Sequence, residues 1–80
     1  MNSTELMRRE ILRLAKATSH STFIHTRRLS RFYNLPEKCV RQELAKLVTE
    51  KHIRLAAWQN NEEFLANAPD GEAVKVDLLD

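Results

Sequence analysis

Lys38, Arg41, Gln42 and Lys46 recur at i, i+3, i+4 and i+8 within one stretch of the chain. On a helix that spacing places the four side chains on one face. Lys, Arg and Gln are among the residue types that hydrogen-bond base edges in a groove about 12 Å wide, which admits a single helix. Arg27, Arg28 and Arg31 stand shortly before them. Guanidinium groups near the start of a helix, beside its unpaired amides, suit phosphate oxygens. The second set is therefore expected to hold a nucleic-acid backbone while the first reads bases. A charged helix face also arises wherever a helix simply meets solvent, and Glu37 and Glu43 dilute this one.

The charge balance supports an anionic partner. Residues 1–54 hold 12 of the 13 Lys and Arg with five acids, a net +7, while residues 55–80 hold one base and six acids, a net −5. Such separation predicts a basic surface and an acidic end with another task.

Other chemistries find less support. His20, His25, His52 and Cys39 include no pair at metal-ligand spacing, so no metal site is expected. Cys39 reads as a half-buried structural thiol, although Lys38 beside it would favour the thiolate. Ser, His and Asp occur without a strand-turn-helix elbow or a Gly-rich frame, the chain holding one Gly, and no catalytic residues or cofactor are expected.

The elements that must position the cations follow from periodicity. Eighty residues, 42% hydrophobic and 30% charged, make one domain (1–80) with one modest core. No apolar run approaches ~20 residues, so no membrane span is expected. The stretch MNSTELMRRE lacks the apolar centre of a signal peptide, and a single cysteine fits a cytoplasmic protein. Met7, Ile11, Leu14 and Thr18 predict a helix from about Thr4 to Ala17, with Asn2 and Glu5 as its capping box. Phe23 and Ile24 suggest a very short strand. A second helix, Arg27 to Tyr33, is expected to be capped by Thr26 and to bury Leu29, Phe32 and Tyr33. Asn34 suits the left-handed position that ends it. A third helix, Glu37 to about Glu50, buries Val40, Leu44, Leu47 and Val48 and turns Glu37, Lys38, Arg41, Gln42, Ala45 and Lys46 outward.

From Ile53 the period becomes two, with Ile53, Leu55 and Ala57 on one face. Val74, Val76 and Leu78 alternate again after an Asp70-Gly71 turn. The two strands are expected to pair across residues 59–72, where Asn61 to Asn67 could hold a helical turn. Leu14, Leu29, Phe32, Leu44, Leu47 and Ile53 make the expected core, and Tyr33, Trp58 and Phe64 are expected to pack.

The stretch TRRLSRFYNLPEKCVRQELAKLVTEKHI, residues 26–53, resembles the winged helix-turn-helix family of DNA-binding domains. Leu29, Leu35, Val40, Leu44, Leu47 and Ile53 match its apolar positions. Asn34 stands where the family usually has Gly in the turn, Pro36 where it caps the recognition helix with Ser or Thr, and Lys51 where Gly closes that helix. The resemblance implies an α+β fold of three helices with a C-terminal two-stranded antiparallel wing. It also implies double-stranded DNA as partner, with Arg27, Arg28, Arg31, Lys38, Arg41, Gln42 and Lys46 as contacts, and a role in transcription regulation. A DNA-contacting wing normally offers Arg or Lys, whereas residues 59–72 carry Glu62, Glu63, Asp70 and Glu72 and no base. The alternative is a winged-helix module that binds a protein through this acidic wing. A homodimer through the first helix, with Met7 and Leu6 or Leu12 at the contact, is a further expectation.

Overall fold

Asn2 caps the first helix, its side-chain oxygen accepting the Glu5 amide at 2.9 Å. The computed structural model describes residues 2–19, 21–60, 62–67 and 71–79. Helix α1 (Ser3–Ala17) buries Met7, Ile11 and Ala15 along one stripe. Strand β1 (Ser21–His25) leads directly into helix α2 (Thr26–Tyr33), and a short turn connects to helix α3 (Glu37–Thr49). Strand β2 (Ile53–Leu55), helix α4 (Glu62–Asn67) and strand β3 (Ala73–Leu78) complete the order. The protein is thus α+β, with four helices and a three-stranded antiparallel sheet of order β1-β3-β2 among the described residues. No helix there is long and apolar enough to cross a membrane.

The sheet has one strand more than the expected pair. The very short strand expected at Phe23 and Ile24 is β1, longer than expected and joined to the sheet, pairing with β3 from Ser21 with Asp77 through His25 with Ala73. On the other edge of β3, Ile53 pairs with Leu78 and Leu55 with Val76. The expected alternation through Ala57 stops short, because β2 ends at Leu55. Ile24, Val74, Val76, Ile53 and Leu55 turn inward and meet Met7, Ile11, Ala15, Leu29, Val40, Leu44 and Leu47 from the helices. Burial of that apolar surface is the main force holding the layers together.

Five apolar placements differ from expectation. Phe32 is 78% exposed, because α2 buries Thr26 and Leu29 and half-buries Tyr33, and Phe32 stands about a quarter turn from that stripe. Its ring meets only the edge of Tyr33, with centroids 4.8 Å apart. Leu14 is half-buried at the core's margin. Trp58 is 63% exposed and does not pack inward. Met7, offered above as a dimer contact, is fully buried, leaving Leu6 as the exposed apolar side chain of α1. Ala57, expected on an inward strand face, is exposed. Asp70, His20 and Asn61, which figure in the expectations above, lie outside the described residues.

Among the described residues, non-glycine residues in the left-handed region follow three helices, Ser19 (φ 60°) beyond α1 and two others after α2 and α3. Asn34 (φ 55°) ends α2, with its amide and that of Leu35 donating to the Ser30 carbonyl. Lys51 (φ 64°) follows α3, and the His52 amide then donates to Leu47 O at 3.0 Å. A residue with a Cβ pays about 1–2 kcal/mol for that conformation, which Gly adopts freely, whereas Gly also loosens the unfolded chain by about 0.4–1 kcal/mol. Lys51→Gly is therefore expected to stabilise the fold by up to about 1 kcal/mol, read as a higher urea midpoint at unchanged slope. A lower midpoint would show that the Lys51 side chain contributes more than its backbone costs.

Candidate nucleic-acid interface

The start of α2 is built around a buried threonine. His25 occupies the N-cap position without a side-chain bond, and Thr26, expected as the cap, is the first helical residue and fully buried. Its hydroxyl donates to Glu37 Oε1 at 2.9 Å, with the Glu72 carbonyl at 3.2 Å. The same Glu37 oxygen accepts the Gly71 amide at 2.6 Å, and Arg27 Nε lies 3.9 Å from Oε2. Gly71 has φ 87°, and a Cβ there would stand 3.0 Å from the Arg27 guanidinium. Glu37, expected on the outer face of α3, instead ties α3 to the start of α2 and to the turn before β3.

That tie orients three cations together. Arg27, Arg28 and Arg31 are exposed and, with His25 and Gly71, line an open groove of about 330 Å³. Cations converging beside a helix start form a surface to which phosphate oxygens are attracted. His25 was weighed from the sequence only as a metal ligand and not as a partner of these arginines; its place at the end of β1 brings it here.

The outer face of α3 is divided. Lys38, Arg41 and Gln42 line a groove of about 210 Å³ together with Ala45 and, from α4, Leu65 and Ala66. Lys38 and Gln42 remain exposed, but Arg41, expected to point to solvent, is only 6% exposed. Lys46 is exposed and turns the other way, its Nζ 3.8 Å from Glu43. Glu43, also expected on the solvent face, is 4% exposed and receives Arg8 Nη1 from α1 at 3.2 Å. Arg8 bonds Glu50 as well. The apolar stripe of α3 is thus flanked on both sides by covered polar residues, Glu43 under α1 and Arg41 beside α4. Of the seven expected contacts, three gather at α2, three on α3 beside α4, and Lys46 stands apart.

A second basic surface lies on α1. Arg9, Arg13 and Lys16 line a groove of about 430 Å³ with His52, Leu12 and Leu78. Their spacing of i, i+4 and i+7 was visible in the sequence as a helix face. Arg13 donates to Glu10 at 2.7 Å through both Nε and Nη2, and that hydrogen bonding holds the Glu10 carboxyl below its ordinary range. One of these three cations, Arg13, is therefore already compensated. Among the described residues, no three His, Cys, Asp or Glu side chains gather as metal ligands.

No protein-family model matches the chain, and no curated protein or solved structure is detectably similar to it.

Proposed function

We propose that the protein is a winged helix-turn-helix domain that binds double-stranded DNA, acting as a small transcription regulator. The order helix, strand, two helices joined by a short turn, and a closing antiparallel ribbon supports this reading. The observation that carries it is the group Arg27, Arg28 and Arg31, exposed around one groove at the start of α2 and tied through Glu37 to the helix that carries Lys38 and Gln42. In this reading α2 holds phosphates, α3 enters the major groove, and the acidic connection before β3 is kept off the duplex.

Fluorescence anisotropy against mixed duplex DNA at two salt concentrations tests it. Each cation that neutralises a phosphate adds about 0.9 to the slope of log affinity against log salt. Arg27→Ala with Arg31→Ala should weaken binding to every sequence and flatten that slope by nearly two. Gln42→Ala should cost about 1–3 kcal/mol mainly on a preferred sequence. Absence of salt-sensitive binding at low ionic strength would overturn the reading.

A protein-binding role is the second reading. Trp58, 63% exposed in the connection between β2 and α4, favours it, since exposed aromatic residues are enriched at protein contacts. Retained partner binding together with absent DNA binding would select it.

A further inference from the structure

We propose that α4 is a built-in cover for the base-reading face of α3, and that this face engages DNA only after α4 lifts away; the inference rests on the DNA-binding reading above. The spatial argument comes first. A major groove about 12 Å wide accepts one helix, and a helix with its side chains is already about 10–12 Å across. Leu65 and Ala66 of α4 line a common groove with Lys38, Arg41, Gln42 and Ala45 of α3. Two helices packed side by side do not fit where one does. Arg41, central to the face, is 6% exposed and out of reach of a base edge in this arrangement.

The stretch that contains α4 is also acidic. Residues 60–72 carry Glu62, Glu63, Asp70 and Glu72 without a single base, and Leu65 and Ala66 of α4, within that stretch, share a groove with Lys38 and Arg41. Acidic residues close to a DNA-binding face repel the phosphates of an approaching duplex.

The architecture also permits release. A helix of six residues does not persist on its own in water, so α4 depends on its docking. Phe64 and Leu65 are only half-buried, so lifting them exposes little of the core. Both flanks are fastened independently of α4. Before it, the Gln59 amide bonds Ala73 O at 2.9 Å and Lys75 N at 2.8 Å. After it, the Gly71 amide bonds Glu37. The sheet and the junction of α2 with α3 therefore stay fixed while α4 moves.

Anisotropy titration of the full chain against a mixed duplex at low salt tests the cover with three proteins. These are the wild type, Leu65→Ser, and a variant whose residues 61–67 are replaced by a Gly/Ser linker of equal length. Leu65→Ser keeps every charge, so a gain in its affinity reflects release of α4 and not lost repulsion. Both variants are expected to bind about tenfold or more tighter, since a covered state lowers apparent affinity by the fraction that is open. Hydrogen exchange of the wild-type amides at 62–67 should speed up when duplex is added. Equal or weaker binding by Leu65→Ser, with α4 amides unchanged or protected, overturns the cover while leaving the DNA reading intact. Absence of binding by all three proteins overturns the DNA reading, and the cover falls with it. Should the linker variant fail to fold, as read by its melting transition, Leu65→Ser and the exchange measurement decide.

Discussion

Replacing Gln59 by Leu, a side chain of similar size, is expected to destabilise the protein by about 2–4 kcal/mol. Gln59 is fully buried, and both ends of its amide are used on the backbone of β3. Nε2 donates to the Ala73 carbonyl at 2.9 Å, and Oε1 accepts the Lys75 amide at 2.8 Å. Strand β2 pairs only with residues 76–78 of β3, so nothing from β2 reaches Ala73 or Lys75 on that edge. The Gln59 side chain takes the place of the missing strand residues. Leu can satisfy neither group, and a backbone donor or acceptor left unmade costs more than a hydrogen bond contributes. Gln59→Glu keeps the acceptor but loses the donor and buries a charge, so it should be at least as harmful. Urea unfolding measures the cost, and exchange of the Lys75 amide measures its locality. An unchanged midpoint with Lys75 still protected would show that other groups hold this edge.

Leu44→Ala and Leu47→Ala should each cost about 2–5 kcal/mol, the range for a buried leucine whose removal leaves a cavity. Both residues are fully buried and belong to the cluster joining α1, α3 and the sheet. For a domain of 80 residues the total stability is about 4–12 kcal/mol, so either substitution removes a large part of it. Phe32→Ala supplies the contrast. At 78% exposure the larger ring should change stability by no more than about 0.5 kcal/mol. Thermal or urea melts of the three variants test both halves. A loss at Phe32 comparable with that at Leu44 would mean that α2 buries a different face.

The helices were legible because their signals are local. Asn2 with Glu5 marks the start of α1, Asn34 marks the end of α2, and the repeat of Val40, Leu44 and Leu47 sets the inner face of α3. Leu29 and Ile53 were placed correctly for the same reason. What the sequence hid depends on elements distant along the chain. A short strand at Phe23 and Ile24 was legible, but its extension to five residues and its place in the sheet depend on β3, its distant partner. Glu43 is buried because Arg8, on another helix, reaches it. Arg41 sits in a groove because α4 shares its walls, and periodicity along α3 alone leaves Arg41 at the edge of the solvent face. Phe32 failed for a different reason. Hydrophobicity placed it inside, but an eight-residue helix has a narrow buried stripe, and Thr26 occupies part of it to serve Glu37. The basic groove of α2 was legible as three arginines on one short helix; the division of the α3 face was not.

The sheet order has a consequence for how the protein comes to be made. Strand β3 follows every other element in the chain yet lies at the centre of the sheet, flanked by β1 and β2. A ribosome delivers residues from the N-terminus, so α1, β1, α2, α3 and β2 all emerge before the strand that joins the two edges. Until then Ile24, Ile53 and Leu55 lack the strand opposite them, and β1 cannot pair, since its Ser21 awaits Asp77. Closing so long a loop is slow compared with winding the helices. The nascent chain therefore lacks the apolar floor on which its helices pack, and the sheet assembles in one late step when residues 73–78 arrive.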